Sequence, residues 1–249
     1  ATAEDLPDAS FAGQQETLLN IDGFDNLIDA VRKVYASLFT DRAISYRRLR
    51  NFKGSLSISV GVQEMVRSDM GSSGVAFTLD TESGYKGSIF ITSSYGLGEG
   101  IVQGTVNPDE FYVFKRALEK NDFPIIKKNM GEKAKKMIFA DNNLPGKSVK
   151  YVKVPKKEAN EFSLTNNEII ELAKYAKTIE DHYEVPMDIE WAKDGKDKKI
   201  YILQARPETV QSKVSNYFER YTLKEKGELI VSGKSCLLYT SPSPRDLAV

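Results

Sequence analysis

Pro186-Met187-Asp188-Ile189-Glu190-Trp191 and, after the lysine-rich turn Ala192 to Lys199, Ile200-Tyr201-Ile202-Leu203-Gln204-Ala205-Arg206-Pro207 decide the reading of this chain. Both stretches alternate in the manner of strands, and the turn between them makes a hairpin. On the first strand Met187, Ile189 and Trp191 point one way, while Asp188 and Glu190 point the other. On the second, strict alternation puts Tyr201, Leu203 and Ala205 on one face and Ile202, Gln204 and Arg206 on the opposite one. Side-chain direction repeats every second residue, so a one-residue slip would turn polar groups into the core. The register that joins the two apolar sets gathers Asp188, Glu190, Gln204 and Arg206 on one surface. A turn of three or five residues satisfies that parity, and a two-residue Asp194-Gly195 turn does not.

Two carboxylates, an amide oxygen and a guanidinium on one face suit a phosphate site. Mg²⁺ is a hard ion, usually held by one or two carboxylates together with substrate phosphates. Arginine supplies a planar fork of donors that matches phosphate oxygens. Phosphoryl transfer asks mainly for positioning and charge neutralisation, which these groups supply. The same spacing also fits a surface hairpin with solvated charges, and spacing alone does not separate the two readings.

Composition narrows the class. A chain of 249 residues can bury a sizeable core in one large domain or two modest ones. Lysine plus arginine equals aspartate plus glutamate at 35 each, so no net basic field favours nucleic acid or an anionic membrane. No apolar run approaches the roughly 18 residues of a membrane span, and no signal peptide opens the chain. The single cysteine, Cys236, excludes an internal disulfide and a thiolate metal cluster. The cytoplasm is the default compartment, and ordinary soluble partners, a homo-oligomer among them, are open.

Elsewhere the pattern is mixed. Residues 1 to 16 are small and polar, a loop in which Gly13 lets backbone amides approach a ligand. Leu27, Ile28, Val31, Val34, Tyr35 and Leu38 predict a helix with Asp25 as N-cap. Leu56, Ile58, Val60 and Val62 predict a half-buried strand running on to Val66. Further strands are expected at Val75 to Leu79, Ser88 to Thr92, Glu110 to Phe114, Phe123 to Lys127 and Val149 to Val154. The glycine-rich segment Tyr95 to Gly104 matches neither the Rossmann nor the Walker fingerprint and reads equally as a structural turn or a nucleotide contact. Lys115 to Lys136 reads as a solvated lysine-rich face, with a phosphate role for Lys133 or Lys136 as the lesser alternative. Thr165-Asn166-Asn167-Glu168 has the form of a capping box and opens a helix with Ile169, Leu172, Ala173, Ala176 and Ile179 on one face. His182, the lone histidine, belongs at that helix end as a partner for the last carbonyls rather than as a catalyst. Without strict β-α alternation, the fold class is α+β.

Several segments in order resemble the ATP-binding domain of the phosphoenolpyruvate synthase (pyruvate, water dikinase) family. They are Ala1-Thr2-Ala3-Glu4-Asp5 through Gln15, Asp41-Arg42-Ala43-Ile44-Ser45-Tyr46-Arg47, Gly96-Leu97-Gly98-Glu99, Asn107 to Val113, Asp188-Ile189-Glu190-Trp191, and Gln204-Ala205-Arg206-Pro207-Glu208-Thr209-Val210. The resemblance implies an ATP-grasp nucleotide-binding domain over residues 1–210, truncated in its N-terminal lobe. Residues 211–235 would be a linker and the start of a phosphohistidine domain. Residues 236–249, with two Ser-Pro pairs, fit no element of the family and read as a non-native or disordered tail.

The resemblance further implies that ATP passes its β- and γ-phosphates to a histidine on another domain of the same chain. Water then releases orthophosphate, and pyruvate takes the remaining phosphate. Glu190 and Gln204 would hold Mg²⁺, Arg206 would stabilise the transferred group, and Asp188 would support them. Glu99 and Ile101 would read the adenine, Met65 would pack on its ring, and Gly13, Gln14 and Gln15 would close over the phosphates. The pyruvate site and the phosphohistidine motif lie outside this sequence, so the chain alone is expected to be inactive in turnover. A rifamycin phosphotransferase, or a stand-alone nucleotide-binding module, are the alternatives such a domain leaves open.

Overall fold

The computed structural model describes residues 5–6, 9–10, 15–49, 51–120, 122–142 and 144–208. Two short strands, β1 (Asp5–Leu6) and β2 (Ala9–Ser10), pair with each other ahead of helices α1 (Phe24–Ser37) and α2 (Asp41–Leu49). A 3-10 turn at Ser68–Met70 leads into β3 (Ser72–Phe77) and β4 (Ser88–Tyr95). The short helix α3 (Glu99–Val102), β5 (Asp109–Phe114), α4 (Lys115–Lys120) and β6 (Ile125–Asn129) follow. A ribbon of β7 (Lys135–Phe139) and β8 (Val149–Lys153), the short helix α5 (Lys156–Ala159), the long helix α6 (Asn166–Tyr183), and the hairpin β9 (Met187–Lys193) and β10 (Ile200–Pro207) complete the order.

Six strands form one sheet in the order β10-β9-β3-β4-β5-β6, and every neighbouring pair is antiparallel. An antiparallel sheet with helices set apart from the strand sequence is the α+β class expected from the pattern. One face of this sheet is the core. Ala76, Ile89, Ile91, Phe111, Val113, Met187, Ile189 and Trp191 pack there against Ile169, Leu172, Ala173 and Ala176 of α6. The register makes those sheet residues one face: Ile189 stands opposite both Ala76 and Ala205, and Ile91 opposite both Ala76 and Phe111.

Helix α6 starts at the expected capping box: Glu168 N donates to Thr165 Oγ1 at 3.4 Å, and Thr165 N donates to Glu168 Oε2 at 2.9 Å. Helix α1 starts two residues earlier than an Asp25 N-cap predicts. Gly23, at φ 86°, is its N-cap, and Asp25 sits in the first turn, where its charge still faces the positive helix end. His182 lies in the last turn of α6 with its ring edge-on to Tyr183, 4.8 Å between centroids.

Two expectations fail for reasons outside any local window. Residues 56–66 carry no strand. Leu56, Ile58 and Val60 are still half-buried while Ser57, Ser59 and Gly61 are exposed, so the alternation is real, but no ladder partner forms among the described residues. Val62, at 70% exposure, departs even from that alternation.

The stretch Lys115 to Lys136 is not a uniformly solvated face. Lys115 is buried and donates to Thr78 O and to Glu180. Lys133 is fully buried, its Nζ 2.5 Å from Asp109 Oδ1. That pairing removes Lys133 from any phosphate role, and Lys136 is likewise committed to Glu158 at 3.0 Å. Part of the same stretch forms β7, which pairs with β8 across register partners Lys135↔Lys153 through Phe139↔Val149.

Asp109 ties three separate segments together at the start of β5. Its Oδ1 accepts from Gly131 N at 2.9 Å, and its Oδ2 accepts from Ser163 N at 2.8 Å and Ser163 Oγ at 2.7 Å. A buried charge so engaged is costly to leave half-made. Asp109→Asn strands the Lys133 ammonium and is expected to cost about 3–5 kcal/mol of stability, read as a lowered midpoint in urea unfolding. A variant with the parent midpoint would mean that the pair contributes nothing.

Candidate functional site

The hairpin delivers its polar groups to the sheet face opposite α6, by a route that strict alternation does not foresee. Near the turn, Ile200 pairs with Lys193, Tyr201 with Ala192, and Ile202 with Trp191. The register then shifts between Ile202 and Gln204, leaving Leu203 as a bulge, and continues as Gln204↔Glu190, Ala205↔Ile189 and Arg206↔Asp188. Ile202 therefore packs on the core beside Trp191 rather than with the polar set, and Tyr201 lies on the polar side. The connection from Asp194 to Lys199 has even parity, unlike the odd turn anticipated, and the bulge restores the register that Gln204 and Arg206 need. All four hairpin residues thus reach one surface, as two directly opposed pairs.

Within the first pair, Arg206 Nε and Nη2 both donate to Asp188 Oδ2, at 2.9 and 2.8 Å. Two donors on one oxygen hold the guanidinium in a fixed plane over the strand. The second pair, Glu190 and Gln204, brings a carboxylate and an amide to opposed positions, whose Cβ atoms lie about 4.5–5.5 Å apart in any antiparallel ladder.

Asp188, Glu190 and Arg206 are half-buried on this face, while Gln204 is exposed. Burial pushes the Asp188 carboxyl above its ordinary value; Arg206 pulls it back and Glu208 pushes it up again. Burial also raises Glu190, the Asp188 charge raises it further, and Arg206 offsets part of this. Glu208, which the sequence reading left without a role, is buried at the end of β10 with its N–H on Pro186 O at 2.8 Å. Its charge bears on the Asp188 carboxyl.

The glycine-rich segment reaches the same face. Ser73 stands opposite Ala192, and Val75 opposite Glu190, so Ser73 lies on the Glu190 side of the sheet, two residues along β3. Ser73 Oγ donates to Gly96 O at 2.6 Å. Gly96, at φ +87°, has Met137 O only 2.5 Å from where a Cβ would sit, and Leu97 N donates to that carbonyl at 2.9 Å. The turn therefore needs glycine, and it clamps the start of α3 between the sheet and the β7–β8 ribbon.

Glu99 and Ile101 sit half-buried on α3. Burial raises the Glu99 carboxyl, with Glu16 adding to the effect, and Gln103 Nε2 donates to Glu99 Oε1 at 2.7 Å. Gln15 accepts from Ser37 Oγ of α1 at 2.8 Å. Gly13 and Gln14 lie outside the described residues.

Met65 is half-buried two residues before Arg67, whose carbonyl accepts from Gly195 N at 3.0 Å and whose guanidinium lies 4.9 Å from the Phe139 ring centroid. The Met65 segment and the glycine turn are thus both anchored on β7. Among the described residues, no group of three or more His, Cys, Asp or Glu has metal-binding geometry. Glu190 with Gln204 offers two oxygen donors, a sparse set that suits an ion completed by phosphate oxygens and water rather than a closed protein cage.

The sequence as a whole can now be set beside known proteins. Residues 1–226 match the family model of the pyruvate phosphate dikinase AMP/ATP-binding domain. The chain belongs to that family. It is 59% identical over 237 residues to the phosphoenolpyruvate synthase of Pseudomonas aeruginosa, a match that covers 94% of this chain and 30% of that protein. The phosphoenolpyruvate synthase of Neisseria meningitidis is 63% identical over 213 residues, covering 85% of the chain and 27% of the relative. That of Escherichia coli is 56% identical over 236 residues, with 94% and 30% covered. The chain spans under a third of the length of these curated relatives. No helix among the described residues is long and apolar enough to cross a membrane.

The raised carboxyls give a pH test with a definite sign. A carboxyl that resists ionisation in the fold adds stability below its unfolded pKa and loses it as pH climbs through the raised folded value. Without divalent cations, Glu190→Gln is expected to unfold at higher urea than the parent near pH 7, with the gap closing towards about pH 4. A parent that is the more stable form at neutral pH would contradict a strained Glu190 carboxylate.

Proposed function

We propose that this chain is the ATP-grasp nucleotide-binding part of a phosphoenolpyruvate synthase. The observation that carries the proposal is the opposed arrangement of Glu190–Gln204 and Asp188–Arg206 on the sheet face that also holds the glycine turn. The relatives named phosphoenolpyruvate synthase support it over an antibiotic phosphotransferase.

In this reading Glu190 and Gln204 are the residues that hold Mg²⁺. When bound, the ion neutralises phosphate oxygens and aligns the chain of phosphates. Arg206, fixed by Asp188, presents its guanidinium to the group in transfer and stabilises the negative charge spread over its oxygens. Burial of this face lowers the local dielectric, so each charge contact there counts for more than it would in water. Glu99 and Ile101 line the adenine, Met65 packs on the ring, and the loop at Gly13, Gln14 and Gln15 covers the phosphates.

The acceptor is a histidine on a phosphohistidine domain of the same protein. That histidine takes the β- and γ-phosphates, leaving AMP; water removes the outer phosphate as orthophosphate, and pyruvate receives the remaining one. The sum is ATP, pyruvate and water to AMP, phosphoenolpyruvate and phosphate.

Calorimetric titration of this chain with ATP, with and without Mg²⁺, tests the binding step. Binding is expected to strengthen with Mg²⁺, and Glu190→Ala is expected to abolish the Mg²⁺-dependent part. Equal affinity in the presence and absence of the ion would remove Glu190 and Gln204 from the metal site. In a protein of the relatives' full length, Arg206→Ala should slow phosphorylation of the histidine by about 10²–10³-fold with ATP affinity changed far less. A loss seen mainly in affinity would instead make Arg206 a ground-state contact.

A further inference from the structure

The row of residues that begins at Arg206 does not end at Asp188. Asp188 stands opposite Phe77 of β3, Phe77 opposite Phe90 of β4, Phe90 opposite Tyr112 of β5, and Tyr112 opposite Lys127 of β6. Directly opposed residues of an antiparallel ladder share a face, so all six lie on the side away from α6. The charged pair thus gives way, one strand across the sheet, to three aromatic rings. The neighbouring row holds no ring: Glu190 stands opposite Val75, whose N–H donates to Thr92 Oγ1 at 3.4 Å, and Thr92 stands opposite Glu110.

The rings hold one another in place. Phe77 and Phe90 are stacked, with 6.3 Å between centroids and 19° between planes. Phe90 meets Tyr112 at 4.9 Å, and the Lys127 ammonium lies 5.2 Å from the Tyr112 centroid. Offset ring pairs of this kind attract beyond the area they bury. Phe77 is 3% exposed and Phe90 8%, yet neither belongs to the core cluster packed on α6. Burial, with the charges of Glu110, Glu82 and Asp80, pushes the Tyr112 phenol up to about 12, so water is scarce along the row. A ring set against a carboxylate and a guanidinium also hinders the hydration of both, which opposes folding. Core packing does not require Phe77 at that position, since the core lies on the other face.

From this placement we infer that Phe77 selects the acceptor of the transfer: its ring keeps water off the group beside Arg206, so that the phosphates pass to histidine and not to water. The inference rests on the roles of Arg206 and of the acceptor histidine proposed above. In the productive step an imidazole nitrogen gives its electron pair to the β-phosphorus, and the bond from that phosphorus to the AMP oxygen breaks. The electron pair of that bond leaves on AMP, and the imidazole loses a proton. Water attacking the same phosphorus breaks the same bond, gives a proton to the solvent and releases AMP with pyrophosphate. Positioned cations assist attack by water as readily as attack by histidine, whereas an apolar wall offers water no hydrogen bond. The productive route yields orthophosphate, so pyrophosphate is the signature of the leak.

The test uses a protein of the relatives' full length, given Mg-ATP without pyruvate, and reads the release of AMP and pyrophosphate. The parent is expected to stop once its histidine is occupied. Phe77→Ala and Phe77→Thr, the second a β-branched residue suited to a strand, should each go on releasing pyrophosphate about tenfold faster than the parent. Phe77→Leu restores an apolar side chain and should return the release to the parent level. A purely structural role would lower histidine phosphorylation without producing pyrophosphate. No pyrophosphate from a folded Ala or Thr variant, equal release from Phe77→Leu, or failure of both truncated variants to fold would each overturn the inference. A parent that makes phosphoenolpyruvate while its variants show no leak removes this inference alone. A parent that makes none removes the reading on which it rests.

Discussion

A hairpin that must bury one face and charge the other has little freedom of register, and everything functional in this chain hangs on how that constraint is met. Ile189 and Trp191 can pack on α6 only if Asp188 and Glu190 turn away from it. On the partner strand, Ile200 and Ile202 are needed in the core near the turn, while Gln204 and Arg206 are needed on the far face four residues later. Uninterrupted alternation cannot do both. One extra residue, Leu203, reconciles the two demands, and its cost is a local break in the ladder. The bulge therefore sits between the half of the hairpin that builds the core and the half that builds the site.

The electrostatics of that face follow from its burial rather than from any single partner. Arg206 answers Asp188 directly at 2.8 Å, yet the desolvation of both carboxyls outweighs this single cation. A surface with two reluctant carboxylates and one guanidinium is under-neutralised. A divalent cation with its phosphates would relieve the first deficit and use the guanidinium at the same time. On the reading proposed above, strain in the free protein is the complement of the charge such a site receives.

What was legible in the sequence was whatever depends on local period and local capping. The inward set Met187, Ile189 and Trp191, the α6 stripe from Ile169 to Ala176, and the Thr165–Glu168 box could all be read from spacing. The gathering of Asp188, Glu190, Gln204 and Arg206 was also legible, although for an incomplete reason, since the alternation that suggested it misplaced Ile202. The buried lysines were not legible. Lys115 meets Glu180 and Lys133 meets Asp109 across 65 and 24 residues of sequence, and composition cannot distinguish such a lysine from a solvated one. The segment at Leu56 to Val66 shows the opposite failure: its alternation is plain, but a strand exists only where another strand supplies the hydrogen bonds.

The β7–β8 ribbon links these observations, although nothing in its sequence marked it as important. Its Met137 carbonyl receives Leu97 at the glycine turn, and its Phe139 ring receives the guanidinium of Arg67. Its Tyr151 hydroxyl lies 2.9 Å from Thr105 Oγ1, just after α3, which in turn donates to Gly100 O on that helix. Arg67 also grips the hairpin turn through Asp194 Oδ2 and Gly195 N. The ribbon thus contacts the glycine turn ahead of α3 directly and the turn of the β9–β10 hairpin through Arg67. A connection of this kind holds the start of α3 and the hairpin turn to a common element outside the six-stranded sheet. The short, half-exposed ribbon is therefore the element whose packing sets the spacing between α3 and the hairpin turn.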